Sequence, residues 1–139
     1  MRLLFTVLLA FVLSACAGTQ QQNQESADQV FGKAKMLSFG VNLTATTYSA
    51  GCAILLKDSP VCSPVYREIA NAAAASMNNA ILKAEEAYAK ANTSDEAGKM
   101  AIAQAAMAAV MQALADLEKY GIDKAAAAAS GDVAIATAR

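Results

Sequence analysis

Residues 64–91, PVYREIANAAAASMNNAILKAEEAYAKA, decide the fold. Ser63 stands where an N-cap belongs and Pro64 where a first helical residue belongs, and together they mark a helix start. From there Tyr66, Ala70, Ala73, Met77, Ile81, Ala84, Tyr88 and Ala91 step by three or four and share one helical face. Asn79, Lys83, Glu86 and Lys90 fall on the outer side. The stretch is therefore an amphipathic helix whose inner face is largely alanine. Alanine favours helix and lets helices approach closely, but each one buries little surface. The chain has 35 alanines in 139 residues and no Trp, so the expected fold is all-α with a thin core.

Upstream, the break Lys57-Asp58-Ser59-Pro60 closes a longer helix predicted over 26–56. Val30, Ala34, Leu37, Val41, Ala45, Tyr48, Cys52 and Leu55 form its inner face by the same stepping. A second apolar line, Met36, Phe39, Leu43 and Ile54, predicts that this helix sits against two neighbours. Gly32, Gly40 and Gly51 weaken it by up to ~1 kcal/mol each relative to alanine and suggest close helix contacts. The β-branched run Val41 to Thr47 is a competing strand signal, outweighed by the helical period on either side.

Downstream, Thr93 with Glu96 three residues later has the form of a capping box, and a third helix is predicted over 94–120. Met100, Ala103, Met107, Val110, Leu114 and Leu117 line it, and Gly121 has the position of a C-terminal stop. Short connections place neighbouring helices antiparallel. Residues 26–122 are thus expected to form an up-down-up antiparallel three-helix bundle. Asp123 caps at most a short Ala-rich helix, and 123–139 read as that helix or a flexible tail.

The N-terminus has a different grammar. Arg2 precedes an apolar run, Leu3 to Leu13, that ends in the small residues Ser14 and Ala15. This reads as an export signal, and the run is shorter than the ~17–25 residues a membrane-spanning helix needs. Leu13-Ser14-Ala15-Cys16 resembles the lipobox of bacterial lipoproteins. The resemblance implies that residues 1–15 are a cleaved signal peptide and that the mature chain begins at Cys16, diacylated on sulfur and usually acylated on its new amino group. Residues 16–25 are then the lipidated cysteine and a Gln-rich polar tether. Ala17 after the cysteine implies the outer membrane, on the periplasmic side by default, with the acyl chains of Cys16 as the membrane contact.

Cysteine usage fits export. With Cys16 assigned to lipid, Cys52 and Cys62 remain as an even pair in an oxidising compartment, and a structural disulfide at the first hairpin is expected. Their spacing suits neither a redox CxxC pair nor a zinc site.

Chemistry-bearing patterns are sparse. The chain has no His, the commonest general base and metal ligand. Removing Arg2 with the signal leaves 10 basic against 12 acidic residues, without a basic patch of the kind nucleic acid requires. No cofactor motif, no phosphate-cradling glycine loop and no nucleophile–base constellation occurs, so no catalytic or metal residue is assigned. Glu85 and Glu86 are adjacent but flanked by Lys83 and Lys90, as on a solvated face. Met77, Met100, Met107 and Met111 either fill gaps in an alanine-rich core or line an adaptable groove for an apolar ligand or partner helix. Asn71, Asn78 and Glu85 repeat every seven residues, marking either a polar flank or a seam for a homo-oligomer.

The layout as a whole is similar to small, Ala-rich helical lipoproteins of bacteriophages and prophages. Cys16, the Cys52 and Cys62-Ser63 pair around Pro60, and the segment Ala84-Glu85-Glu86-Ala87 carry the likeness. That family implies no catalytic residues. The expected function is a non-enzymatic, lipid-anchored outer-membrane lipoprotein whose periplasmic bundle is a structural module or binds an envelope protein. The alternative is a phage- or prophage-encoded envelope effector, acting in superinfection exclusion or as a lysis accessory.

Overall fold

A computed structural model describes residues 25–137, with side chains over 25–130. The described chain is all-helical: α1 (Ala27–Ile54), a 3-10 turn (Pro60–Cys62), α2 (Pro64–Lys90), α3 (Glu96–Lys119) and α4 (Ile122–Thr137). Four helices are present where three were expected. The region 26–122 does supply three of them, with ends within a few residues of those predicted. The fourth lies where a short Ala-rich helix or a flexible tail was expected, and it runs on to Thr137.

Each helix end has a local cause. Ser26 caps α1 through a reciprocal box, its hydroxyl accepting from the Gln29 N–H while the Gln29 side chain accepts from the Ser26 N–H. Glu96 adds a second cap from outside the helix, Oε1 accepting from the Ala27 N–H at 2.8 Å. Ser63 precedes α2 without a side-chain cap bond, and Pro64 alone pre-forms the first turn. The expected Thr93–Glu96 box is corrected. Asp95 is the N-cap of α3, accepting from the Gly98 N–H, which leaves Glu96 free to cap α1. Gly121 adopts φ +67°, the left-handed geometry that glycine enters without a Cβ clash, and the chain turns there into α4.

Contacts between ends fix the helix directions. Phe31 stacks on Tyr88, Lys35 pairs with Glu85 at 2.7 Å, and Asn42 exchanges two amide hydrogen bonds with Asn78. Residue numbers rise on α1 as they fall on α2, so the pair is antiparallel. The Tyr66 and Tyr120 rings, 6.0 Å apart, join the start of α2 to the end of α3. The Glu96–Ala27 bond joins the starts of α1 and α3 and makes them parallel. The seven-residue polar repeat is partly explained here, since Asn78 and Glu85 bond to α1.

The core lies where α3 meets α1 and α2, the two most extensive helix contacts. On α3 the buried stripe is Ala103, Ala106, Val110, Ala113 and Leu117. Small residues occupy the centre and Met100 and Met107 move to the flank, because close approach to two neighbours leaves no room for longer side chains. On α1 the buried face is Phe31, Ala34, Ser38, Val41, Ala45, Tyr48 and Cys52. Leu37 and Leu55, expected inside, are exposed. Burial of Ser38 is tolerated because its hydroxyl donates to the Lys35 carbonyl at 2.7 Å.

α4 packs chiefly on α1 and buries Ile122, Ala125, Ala126 and Ala129. Its seat is Gly51, where a Cβ would stand 2.5 Å from the Ala129 Cβ. Of the three glycines in α1 this one marks a close contact. Gly32 and Gly40 face nothing within 4 Å. The second apolar line of α1 is also corrected, because it is exposed and not buried against a further neighbour. α2 and α3 flank the Ala34–Val41 face and α4 takes the Gly51 side, so Met36, Phe39 and Leu43 lie on the solvent side and Ile54 stands at the edge of the groove beside α4.

Cys52 and Cys62 are bonded, with Cα atoms 5.3 Å apart. Closing a ring of this size stabilises the fold by about 2–3 kcal/mol, chiefly by restricting the unfolded chain. The Cys52→Ala/Cys62→Ala protein should therefore melt about 10–20 °C below the wild type in a circular-dichroism scan. Superimposable melts would show that the bridge contributes nothing. A second expectation concerns the α4 seat. Gly51→Val, whose helix propensity is near that of glycine, should cost about 1–3 kcal/mol by overpacking against Ala129. Gly32→Ala, placed in open space, should gain about 0.5–1 kcal/mol. Urea unfolding that moves both variants the same way would contradict the assigned seat.

Candidate functional site

Three places concentrate side chains from different helices. At the corner between α1 and α2, the Cys52–Cys62 bridge lies beside Tyr48, whose buried ring donates its hydroxyl to the Val61 carbonyl. Burial raises the Tyr48 pKa above the ordinary phenol value, opposed by the nearby Arg67 charge and helped by Tyr66. A phenol that donates to a backbone carbonyl positions the loop.

At the opposite end, Tyr88 of α2 stacks on Phe31 at 4.7 Å and donates to the Asp28 carboxylate, both on α1. Lys99 of α3 lies 5.3 Å from the centre of the same ring. The hydrogen bond to Asp28 is the largest cause of a phenol pKa pushed up to about 12, followed by desolvation and by the negative charges of Asp28 and Glu96. One aromatic side chain thus ties three helices together. Sequence reading placed Tyr88 on the inner face but gave no sign of this polar clamp, because Asp28 lies 60 positions away.

The third place is the outside of α1. Met36, Phe39, Leu43 and Ile54 are 76%, 70%, 57% and 77% exposed, so each keeps most of its apolar surface in water. Beside Ile54, a groove of about 360 Å³ runs between the end of α1 and α4, lined by Thr47, Ala50, Gly51, Leu55, Ala129 and Ser130. The sequence contains a signal for this face, because 36–56 lack any charged residue. Periodicity could not distinguish a second buried stripe from an exposed one.

The predicted site residues fare unequally. Cys16 lies outside the described residues. Cys52 and Cys62 are joined. The four methionines do not form one groove. Met77 is buried in the core of α2, whereas Met100, Met107 and Met111 follow one flank of α3, with Met111 54% exposed. Of these, Met100 lines an open depression of about 790 Å³ with Val30, Ala97, Gln104 and the Glu25–Ser26 and Glu96 ends. Glu85 and Glu86 are engaged by Lys35 and Lys90. No group of three or more metal-ligating side chains occurs among the described residues. By length and composition α3 would pass as a membrane span, but its buried stripe is engaged by α1 and α2.

Searches of protein-family models, curated proteins and solved structures found no match to this chain.

The Tyr88 clamp has a pH consequence. Its folded pKa lies above the unfolded phenol value of 10, so its stabilising effect is complete below pH 10 and is lost as pH rises toward 12. Ultraviolet titration of the four tyrosines should show Tyr88 ionising late together with the buried Tyr48, and Asp28→Asn should bring Tyr88 alone back toward the ordinary range. A titration unchanged by that substitution would sever the assignment.

Proposed function

We propose that the chain is a lipid-anchored outer-membrane lipoprotein and that its helical bundle is a non-enzymatic structural or partner-binding module on the periplasmic side. The observation that carries the reading is Leu13-Ser14-Ala15-Cys16 behind a charged start and a short apolar run. Acyl chains on Cys16 contribute about 0.8 kcal/mol per buried methylene, so two or more chains hold firmly. The Cys52–Cys62 bond supports an oxidising compartment, since disulfides persist there and are rare in the cytosol. α1 begins at Ala27, 11 positions past Cys16, so the bundle would be held within a short tether of the leaflet.

A binding or spacing role follows from what the bundle presents. Lys35–Glu85 and Lys90–Glu86 are paired and Tyr88 is clamped to Asp28, while the outer face of α1 presents Met36, Phe39, Leu43 and Ile54 to solvent. The partner in this reading is an envelope component that meets the bundle from the periplasmic side.

Metabolic labelling with palmitate tests the anchor. Wild-type protein should carry label and fractionate with the outer membrane. Cys16→Ser should lose both and accumulate with its signal uncleaved. Label surviving in Cys16→Ser would refute the anchored reading.

A further inference from the structure

The outward face of α1 combines features that no contact among the described residues explains. From Met36 to Leu56, 21 residues carry no charge, and Lys35 and Lys57 bound the run. Within it Met36, Leu43 and Ala50 recur every seven residues, with Phe39, Thr46 and Ala53 between them at the offset of a helix-pairing seam. Gly40 stands beside this line with open space in front of it, and glycine inside a helix costs roughly 0.5–1 kcal/mol relative to alanine. The projecting side chains Met36, Phe39 and Leu43 occupy the first half of the stripe. The receiving groove, walled by Thr47, Ala50, Gly51 and Ala129, occupies the second half.

We infer that this face is the interface of a two-fold dimer with a second copy of the chain, its α1 helices antiparallel and Leu43 near the axis. Met36 and the Ala50–Gly51 groove lie 14–15 positions apart, about 21–22 Å along the helix. A two-fold through Leu43 sets each Met36 over the groove of the other copy, twice by symmetry, and brings Gly40 against Thr46 and Thr47. Ridge and receptor on one surface are what an isologous contact requires. The uncharged run lets the stripe meet itself without like-charge repulsion, and the lysines fall at the rim. Antiparallel pairing also sets opposite helix-dipole ends together. The four exposed side chains and the groove offer roughly 400–500 Å² per copy, below the ~800 Å² per partner of standard stable interfaces, so the dimer forms in a concentration-dependent manner. The inference does not depend on the lipid anchor.

Crosslinking of the full chain in intact membranes tests the pairing. Leu43→Cys treated with a short bismaleimide should give a band of twice the monomer mass. Asn79→Cys, exposed on the outer side of α2, should give at most a tenth as much. In mild detergent, sedimentation should show wild-type monomer and dimer exchanging with concentration. Leu43→Glu and Met36→Lys, both at exposed positions, should each weaken the dimer more than tenfold while melting within a few degrees of wild type. Equal crosslinking at positions 43 and 79, a single monomer mass at every concentration, or a Leu43→Cys adduct with another protein or with lipid alone would each overturn the self-pairing. A dimer that survives Leu43→Glu and Met36→Lys would overturn it as well.

Discussion

Close approach across alanine is the constraint on which the rest of this structure depends. Buried Ala103, Ala106 and Ala113 let α3 lie tightly against both α1 and α2, but a methyl group buries little area compared with leucine or phenylalanine. The hydrophobic return per residue is low, and a bundle of this kind cannot rest on burial alone. The large fully buried side chains are few: Tyr48, Met77, Leu117, Ile122, Val41 and Val110. Stability is therefore supplemented by devices at the ends. One end has the disulfide and the Tyr48 bond to the loop. The other has the Phe31–Tyr88 stack, the Asp28 acceptor and the Glu96 cap. The fourth helix belongs to the same logic. It covers part of α1 with Ile122 and three alanines, and it can approach because Gly51 has no side chain.

How much of this could be read from the chain differs by level. The helical class, the long helices and the Cys52–Cys62 pair follow from period, caps and cysteine count, which are local or nearly local properties. The inner face of α2 was legible because its outer face is charged, and contrast defines a face. α1 gave no such contrast. Its apolar residues lie all round the helix, so Leu37 and Leu55 looked as buried as Phe31, and only the placement of the neighbours separates them. α4 was legible only as a short helix or a tail, for a related reason. Five consecutive alanines at 125–129 have strong helix propensity but almost no pattern, and Ser130-Gly131-Asp132 reads as a stop. The helix continues through that stop because the preceding turns are already docked on α1, and tertiary contact outweighs local preference. The α3 start moved for a simpler reason: Asp95 and Thr93 are both good caps, and Glu96 does more by reaching across to α1.

The glycines of α1 make the same point about what a sequence pattern can carry. All three look alike on a helical wheel, since each weakens the helix and each permits close approach. Gly51 uses that permission within the chain. Gly32 and Gly40 do not, although they carry the same conformational cost. Gly32 and Gly40 lie on the side of α1 where the apolar side chains are exposed, the side that the inferred self-pairing would use.

The proposed membrane anchor and the exposed face would bear on each other through concentration. A contact of a few hundred Å² per copy is weak between molecules diffusing in a volume. Were both copies confined to one leaflet by Cys16, encounter would become a two-dimensional problem with a much higher effective concentration, and a weak surface would be populated without any new contact. Geometry permits this. A two-fold axis perpendicular to both α1 helices can stand along the membrane normal, which places the two N-termini at equal height over the same leaflet. Anchoring would then raise the fraction of copies whose uncharged stripe is shielded from water. In the lipid-anchored reading such a surface would have reason to stay modest in area, because a larger apolar face would associate during export, before lipidation.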